Sequence, residues 1–558
     1  MQNPSSYNEF LYNRQFMAGP RMFSQPKEWR HAKFGQRLFL SFHPSLQVTQ
    51  VTLEDSELLC IGHIFDPANP SQDNEGVVKS LVERATTFKD FEEAIYALAG
   101  RWILFIRIND LARMYPDAGG TKSAYYTVGL PNGELWIGSQ PMLIGDALGL
   151  PVDHERVEMF FRHNVKNTWV GEATPYNNII QLLPNHYLHL DTKQTVRFYW
   201  SSRLPRYDLN TAVDKIREEL FGILTALSAR RPCALALTGG HDSRVLLACA
   251  GEARKKFQYF YISDPATPYH DISIPRKLSR LFNVPFRNIH VKPYTHEFRE
   301  ILRRNLGDMY WETGITKIFT FGEFDHRFFT VTGNMAELIR RCSYYRDGVT
   351  PLFITPALLA EKSGYGENPV ALRAIAKWMA GAPKDSNINI LDLFYWEHRI
   401  GNWISIALTG LDTVCEVIPA YNSRKVIELG LAVDNKYRTE PSYEIFRELC
   451  RRFAPEIAEI SFNDCFRSRV VKKLEQVIPS RISEKWLWAR MRLAGLDLYG
   501  VTIPAVSLLR QKPNGSVPAE NYELGQSAGS REGHTLTKSP APNSDVRSSG
   551  STPPRRMF

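Results

Sequence analysis

The 558-residue chain is poor in the signals of secreted, membrane and metal-cluster proteins. Its 7 cysteines are an odd number without a CxxC pair, which argues against a disulfide framework or a zinc site. Residues 1–30 lack the apolar core of a signal peptide, and no run approaches the roughly 18 apolar residues of a membrane span. No internal repeat and no cluster of histidine, cysteine and carboxylate ligands is evident. We therefore expect a cytoplasmic protein with reduced thiols and no membrane partner.

The charge is also unremarkable for the length of the chain. A formal net charge of +9 suits anionic ligands, but no basic tract interleaved with aromatic residues marks a nucleic-acid partner. Hydrophobic residues make up 43% of the sequence, which is ample for two sizeable cores. Residues 481–510 are expected to form a C-terminal helical extension. Residues 511–558 are rich in Ser, Gly, Pro and Asn without apolar periodicity, which predicts a disordered tail.

The most informative segment is a strand, turn and helix centred on Thr-Gly-Gly-His-Asp-Ser at residues 238–243. Residues 234–237 form a short apolar run typical of a buried parallel strand, and residues 245–249 have the spacing of a buried helix face. Gly239 and Gly240 can take positive φ and carry no Cβ, so their backbone N–H groups can converge on phosphate oxygens. No Gly-Lys-Ser/Thr follows, so the loop is not a Walker A motif.

The charged residues after the two glycines also fit a polyphosphate. Asp242 or Ser243 can cap the helix that follows. Arg244 falls in the first helical turn, where a cation opposes the helix dipole unless an anion lies in front of it. The Asp242 carboxylate would be repelled by phosphates unless a divalent cation lay between them, which adds Mg²⁺ to the hypothesis. The alternative is an ordinary strand, turn and helix of a doubly wound domain that happens to carry two glycines.

The whole 238–243 string resembles the Ser-Gly-Gly-x-Asp-Ser loop of the PP-loop ATP pyrophosphatase superfamily, with Thr238 in place of the serine. Two later segments resemble the asparagine synthetase family within it. The first is the aromatic and β-branched run at residues 257–263, which in the family is a strand beside the adenine. The resemblance makes Leu237 and Ile262 candidate adenine contacts, although one more core strand is the simpler reading.

The second segment, residues 328–338, resembles the family's Ser-Gly-Glu-Gly-x-Asp-Glu turn, where carboxylates help to hold the metal pyrophosphate. Thr332, Gly333 and Glu337 match this turn in kind. Asn334 does not, because the family usually has a glutamate there, and the turn is one residue shorter than in the family.

Residues 391–427 resemble the helical half of the family, and their apolar spacing predicts packing roles. Further on, Tyr443 stands where asparagine synthetases often carry a lysine that meets the pyrophosphate. Arg447 fits the same local pattern, and Lys436 or Arg438 are candidate substitutes for the lysine.

The first half of the chain contains short strands separated by turn residues, which predicts layered antiparallel sheets. It resembles the glutamine amidotransferase domain of asparagine synthetases, for example at residues 117–126, where the family has Asp-x-x-Gly-x-x-x-Leu-Tyr-Tyr. That domain uses an N-terminal cysteine as nucleophile. Here Gln2 follows Met1, and Cys60 lies in an apolar strand pattern that favours an inert buried thiol. We expect a scaffold without glutaminase activity.

Together these patterns predict an α+β, layered antiparallel-sheet domain of the Ntn-hydrolase type over residues 1–200. A doubly wound α/β domain with a parallel sheet and extra helices is predicted over residues 205–480. The candidate nucleotide-binding residues are Leu237, Thr238, Gly239, Gly240, His241, Asp242, Ser243, Arg244, Ile262, Thr332 and Gly333. The candidate catalytic residues are Asp242, Glu337 and Arg447, of which Asp242 and Glu337 would also hold the metal.

The resemblance implies an enzyme that uses ATP and Mg²⁺ to adenylate a carboxylate, releases pyrophosphate, and joins the acyl group to ammonia or an amine. Its partners would be a small-molecule or peptide acid and an amine, and a homodimer is a possible assembly. Two other hypotheses stay open. Asn334 and Tyr443 favour a nucleotide-binding regulator without turnover, and failure to bind Mg²⁺-ATP would favour a structural or partner-binding protein that keeps only the fold.

Overall fold

The first half of the chain forms two six-stranded antiparallel sheets, as its turn-separated strands predict. In the computed structural model the first sheet has the strand order β10-β8-β9-β1-β3-β2, and the second has the order β12-β11-β7-β6-β5-β4. The strands are β1 Phe16–Gly19, β2 Arg30–Phe34, β3 Leu38–Phe42, β4 Val48–Leu53, β5 Ser56–Phe65, β6 Ala99–Ile108, β7 Leu111–Pro116, β8 Tyr125–Thr127, β9 Ile137–Gly138, β10 Ile179–Gln181, β11 His186–His189 and β12 Thr195–Arg197. The helices of this half are α1 Asn74–Arg84, α2 Phe88–Ile95, α3 Pro141–Leu148 and α4 His154–His163.

The described residues are 10–23, 26–163, 168–198 and 204–460, with short gaps at 266, 268, 310–313, 325–326, 343, 345–352, 385 and 441. They all belong to one unit, Met1–Lys473. The predicted extension at 481–510 and the predicted tail at 511–558 lie outside them. Within the described part of the chain, no helix combines the length and apolar character that crossing a membrane requires.

The layering follows from the two-residue repeat of strand side chains. In β5, Cys60 packs with Val78 of α1 in a core on the outer face, whereas Leu59 packs with Phe16 in the core between the two sheets. The Cys60 side chain is fully buried, and burial raises the pKa of its thiol to about 12. The thiol is therefore protonated at neutral pH and shielded from solvent.

The second half is built on a five-stranded parallel sheet with the order β15-β14-β13-β16-β17. Its strands are β13 Cys233–Ala236, β14 Phe257–Ser263, β15 Phe286–His290, β16 Phe329–Thr332 and β17 Glu416–Pro419. The helices are α5 Leu209–Arg230, α6 His241–Cys249, α7 Tyr269–Leu281, α8 His296–Leu306, α9 Ile315–Phe321, α10 Ala336–Ile339, α11 Pro356–Ser363, α12 Pro369–Ala380, α13 Ile390–Phe394, α14 Ser405–Asp412, α15 Arg424–Leu431, α16 Asn435–Arg438 and α17 Glu444–Phe453. The mixed fold class, antiparallel layers followed by a doubly wound parallel sheet, is thus confirmed.

Asp117 organises the loop between β7 and β8, which contacts the second half of the chain. Its carboxylate accepts hydrogen bonds from the backbone N–H groups of Trp102, Gly119, Thr121 and Lys122. The amide of Asn422, which follows β17, donates to the same carboxylate at 2.9 Å and to the carbonyl oxygen of Gly100 at 2.6 Å. The two halves are therefore joined through buried polar contacts as well as through apolar packing.

His398 lies in a π-helical segment, Tyr395–Ile404, between α13 and α14, and is 3% exposed. Its Nδ1 is 2.9 Å from the Asn402 Oδ1. The Asn402 amide nitrogen donates to the Gly171 carbonyl and to the Gln181 Oε1, so its oxygen must accept and the imidazole Nδ1 carries a proton. Burial lowers the pKa of His398 to about 3.

We expect this histidine to make the fold sensitive to acid. Between pH 6.5 and about 3 the unfolded chain binds a proton at His398 that the folded chain does not, so the free energy of unfolding falls as the pH falls. One such group loses about 2 kcal/mol between pH 7 and pH 5. Urea unfolding of the wild type and of His398→Gln at both pH values checks this. The variant should have the smaller pH dependence, and the exposed His154→Gln should match the wild type. Equal pH dependence in all three proteins would contradict the assignment.

Candidate functional site

The loops that follow β13 and β16 form the candidate site. These strands are parallel neighbours, with Leu235 opposite Val331 in the register. The chain runs outward from β13 to β14 and β15 and then returns to the other side of β13 with β16. The strand order therefore reverses between β13 and β16, which is where open parallel sheets bind ligands at their carboxyl ends.

Gly333 lets the two loops meet. A Cβ at this position would lie 3.1 Å from the Asp242 Cβ and 3.5 Å from the Ser243 backbone nitrogen. A larger residue would push the β16 loop away from the first turn of α6. The match of Gly333 to the family's turn thus has a packing reason in this structure.

The hydrogen bonds within the 238–243 loop differ from the predicted cap. The helix cap is Gly240, with extended backbone angles of φ −80° and ψ 179° and no side-chain hydrogen bond to the helix. Ser243 Oγ accepts from the Thr238 N–H at 2.9 Å, and Thr238 Oγ1 accepts from the Gly240 N–H at 3.1 Å. The expectation that Asp242 or Ser243 caps α6 is wrong, because both side chains are engaged elsewhere. Gly240 also needs no positive φ here.

Asp242 and Glu337, the two predicted metal ligands, lie together and share one arginine. Arg340 Nε donates to Asp242 Oδ1 at 2.9 Å, and its Nη2 donates to Asp242 Oδ2 at 3.1 Å and to Glu337 Oε1 at 3.4 Å. Burial and the Asp242 carboxylate raise the pKa of Glu337, and the Arg340 charge opposes this rise. The structure therefore brings these two carboxylates together through a guanidinium group.

The donor set fits Mg²⁺ held jointly with a nucleotide. Glu337 Oε2 is buried and has no hydrogen-bond partner among the described residues, which leaves one acceptor for a cation. The described residues contain no group of three or more metal-ligating side chains. Mg²⁺ is commonly bound by one or two carboxylates and completed by phosphate oxygens and water, so two carboxylates are sufficient.

Arg244 is completely buried and donates hydrogen bonds that hold the backbone of the 238–243 loop. Its Nη2 donates to the Gly239 carbonyl oxygen at 3.1 Å, and its Nη1 donates to the Ile460 carbonyl oxygen at 2.7 Å. The guanidinium thus fixes the loop backbone. Direct contact of Arg244 with a phosphate stays a prediction.

The charges of three arginines act on His241. Burial, together with the charges of Arg244, Arg447 and Arg340, lowers the pKa of His241 to about 3. The imidazole is therefore neutral at physiological pH. Arg447 is exposed on α17, where its charge acts on His241. Its predicted catalytic role stays a prediction.

Tyr443 and Asn334, the two departures from the family pattern, both lie at the site. Tyr443 is the N-cap residue of α17 and has φ 41°. Its ring centroid is 5.2 Å from that of His241 and 5.5 Å from the Arg340 guanidinium carbon. The Tyr443 hydroxyl donates to Glu440 Oε1 at 2.6 Å. Asn334 Oδ1 accepts from Thr332 Oγ1 at 2.6 Å. Asn334 and Thr332 thus shape the turn that follows β16.

The candidate adenine contacts, Leu237 and Ile262, lie at the end of β13 and in β14. Leu237 is fully buried, and its N–H donates to the Phe260 carbonyl oxygen of β14 at 2.8 Å. Ile262 lies two residues further along β14 and is partly buried. These positions place both residues beside the β13 loop, and their contact with adenine stays a prediction.

Sequence reasoning missed Arg340 and Tyr421. The Tyr421 hydroxyl donates to the Asp242 carbonyl oxygen at 2.8 Å and so supports the first turn of α6. Arg340 follows Glu337 by three residues, a spacing at which opposite charges meet on a helix. The spacing could have predicted the pair of Glu337 and Arg340. It could not have predicted the hydrogen bond from Arg340 to Asp242, which lies 98 residues away.

The comparisons with known proteins give a faint structural likeness. No family model and no curated protein matches the chain. A glutamine phosphoribosylpyrophosphate amidotransferase from B. subtilis, complexed with ADP and GMP, has a TM-score of 0.22 and 10% identity over 52% of this chain and 66% of that chain. An allosteric regulatory enzyme of purine biosynthesis has a TM-score of 0.23 and 10% identity over 61% of this chain and 73% of that one.

A glutamine-dependent NAD⁺ synthetase from Acinetobacter baumannii, in complex with ADP, has a TM-score of 0.17 and 13% identity. That match covers 59% of this chain and 52% of the synthetase. The chain thus spans less than two thirds of the first and third of these structures. Likeness at this level assigns no activity, and the site geometry has to carry the functional argument.

Proposed function

We propose that this protein is an ATP-dependent, AMP-forming ligase that adenylates a carboxylate and transfers the acyl group to ammonia or an amine. The observation that carries the proposal is the meeting of Asp242 and Glu337 at the switch point of the parallel sheet, beside a glycine loop. Two carboxylates so close together are costly unless cations accompany them. The three arginines around His241 suit the negative charge of a triphosphate.

The residues divide the work of such a reaction. The first turn of α6, whose cap Gly240 has no side-chain hydrogen bond to it, offers N–H groups to phosphate oxygens. Asp242 and Glu337 would hold Mg²⁺, which neutralises charge on the pyrophosphate when bound. A substrate carboxylate oxygen attacks the α-phosphorus, the bond to the β-phosphate oxygen breaks, and pyrophosphate leaves. The amine then displaces AMP from the acyl carbon. Positioning and charge neutralisation supply the acceleration.

A nucleotide-binding regulator is the second candidate, and the Arg340 contacts favour it. The guanidinium donates to both carboxylates without a metal, and Tyr443 stands in place of the expected lysine. Both candidates require that Mg²⁺-ATP binds at Asp242. They differ in whether adding a carboxylate substrate releases pyrophosphate.

Thermal unfolding with and without Mg²⁺-ATP tests the proposal without a known acid. A ligand at about 100 times its Kd adds about 2.7 kcal/mol to the stability of the folded state, which shifts the Tm by a few degrees. We expect a magnesium-dependent shift in the wild type that disappears in Asp242→Asn. Asp110→Asn, in the exposed turn between β6 and β7, is the matched control and should behave as the wild type. No shift in the wild type at millimolar nucleotide would exclude both candidates and favour a structural protein. Where a shift is found, pyrophosphate release with pools of small acids and peptides separates ligase from regulator.

A further inference from the structure

The basic side chains near the candidate site differ in what they already bind. Arg244 donates to two backbone carbonyl oxygens and is fully buried. Arg438 is 1% exposed and donates to the Leu338 and Ile339 carbonyl oxygens and to Asp392. Lys436 is exposed, with its ammonium group over the ring of Tyr437. The bonds of Arg244 and Arg438 to main-chain carbonyls serve the fold, since losing them would leave buried acceptors unsatisfied.

Arg340 is different, because it donates to the two carboxylates that the proposed reaction uses, Asp242 and Glu337. Its side chain is 21% exposed, and it spans from Asp242 to Glu337. A guanidinium presents a planar fork of donors that suits carboxylate and phosphate oxygens equally well. It can therefore exchange a carboxylate partner for a phosphate without losing its charge or its hydrogen bonds.

Tyr443 places this guanidinium at the position where the cation is missing. The Arg340 guanidinium carbon lies 5.5 Å from the centre of the Tyr443 ring, within the range of a cation–π contact. By the resemblance to asparagine synthetases, position 443 is where the family often carries a lysine that meets the pyrophosphate. The Tyr443 ring thus holds the positive charge of Arg340 beside the residue at which the resemblance expects a lysine.

We propose that Arg340 is a catalytic residue that neutralises the leaving pyrophosphate, in place of a lysine at position 443. The inference rests on the proposed function and adds to it the group that contacts the β- and γ-phosphates. In the absence of nucleotide, Arg340 neutralises Asp242 and Glu337. When a nucleotide binds, the guanidinium donates to phosphate oxygens, and the Tyr443 ring keeps it in place. The positive charge is then opposite the oxygens on which negative charge develops as the bond to the α-phosphorus breaks.

The test measures binding of three probes by calorimetry in the full-length chain: inorganic pyrophosphate, AMP and Mg²⁺-ATP. Arg340→Met should weaken binding of pyrophosphate at least 10-fold and leave the affinity for AMP within about 2-fold, because AMP lacks the phosphates that Arg340 contacts. Arg340→Lys keeps the positive charge but loses the planar fork of donors. Its affinity for pyrophosphate should therefore lie between those of the wild type and Arg340→Met. Arg341→Met is the matched control. Arg341 is the next residue, but its guanidinium lies 3.5 Å from Thr439 Oγ1.

A second variant distinguishes the loss of the Arg340 charge from a loss of folding, because a misfolded protein would not regain affinity. Adding Tyr443→Lys to Arg340→Met should restore pyrophosphate affinity to within about 3-fold of the wild type, since it returns one cation to the same place. If the wild type fails to bind Mg²⁺-ATP, the proposed function itself fails. If the wild type binds Mg²⁺-ATP and pyrophosphate but Arg340→Met binds pyrophosphate equally well, only the role of Arg340 is overturned. Equal losses of AMP and pyrophosphate affinity would show a structural role for Arg340 and overturn the inference as well.

Discussion

Asp412→Ala is expected to lower the free energy of unfolding by about 3–5 kcal/mol, the usual cost of removing one partner from a buried ion pair. Asp412 ends α14, and its carboxylate binds Arg101 of β6 and the Lys122 ammonium, the latter at 3.1 Å. All three side chains are at most 4% exposed. Burial lowers the pKa of Lys122, and Asp412 opposes that shift. The variant would leave two buried cations without this counter-ion. Urea unfolding at pH 7 measures the loss.

A double variant separates lost charge pairing from lost packing at this position. Lys122→Met combined with Asp412→Ala removes one of the stranded cations, so it should recover part of the stability. The exposed Asp110→Ala controls for the loss of one negative charge and should change the stability by less than about 0.5 kcal/mol. An unchanged urea midpoint in Asp412→Ala would show that water or another group compensates the two cations.

The second large effect is expected from Arg438→Met, which removes the anchor of α10. Arg438 Nε and Nη2 donate to the carbonyl oxygens of Ile339 and Leu338, both at 2.8 Å, and Nη1 donates to Asp392 Oδ2 at 3.1 Å. Both side chains of the ion pair are 2% exposed. The substitution leaves a buried carboxylate and two buried carbonyl oxygens unsatisfied, which costs about 3–5 kcal/mol. Hydrogen exchange of residues 336–340 should increase, and Mg²⁺-ATP affinity should fall because Glu337 lies on α10.

Lys436→Met is the control for this variant, because Lys436 lies on the same short helix, α16, and is exposed. It should leave stability and hydrogen exchange unchanged within error. A stable Arg438→Met protein with protected amides at 336–340 would show that apolar packing alone holds α10. In that case the link between Arg438 and the candidate site would be lost.

Local sequence patterns predicted several strands of the fold. The strand predicted at residues 257–263 is β14, and the apolar run at 234–237 overlaps β13, Cys233–Ala236. These elements were predictable because they depend on neighbours in sequence, through apolar runs and turn residues. The resemblance placed Asp242 and Glu337 at one site, and the strand order of the parallel sheet accounts for their meeting.

The contacts within the site were not predictable in the same way. The sequence predicts Asp242 or Ser243 as the cap of α6, but Gly240 takes the cap position, and the Ser243 hydroxyl accepts from the Thr238 N–H across the turn. Arg340 reaches Asp242 only because β16 lies next to β13. Side-chain partners of this kind depend on tertiary placement, which a local pattern does not encode.

The contacts of Asn422 limit how the two halves of the chain can be separated in evolution or in the laboratory. Its amide bonds both Gly100 and Asp117 of the antiparallel half, while its own backbone belongs to the turn after β17. A breakpoint between the halves, in a recombination event or an expression plasmid, would leave Asp117 and Asn422 without these partners in separate polypeptides. Selection that acts on the parallel-sheet half alone would therefore preserve the antiparallel half as well, because each half completes the hydrogen bonds of the other.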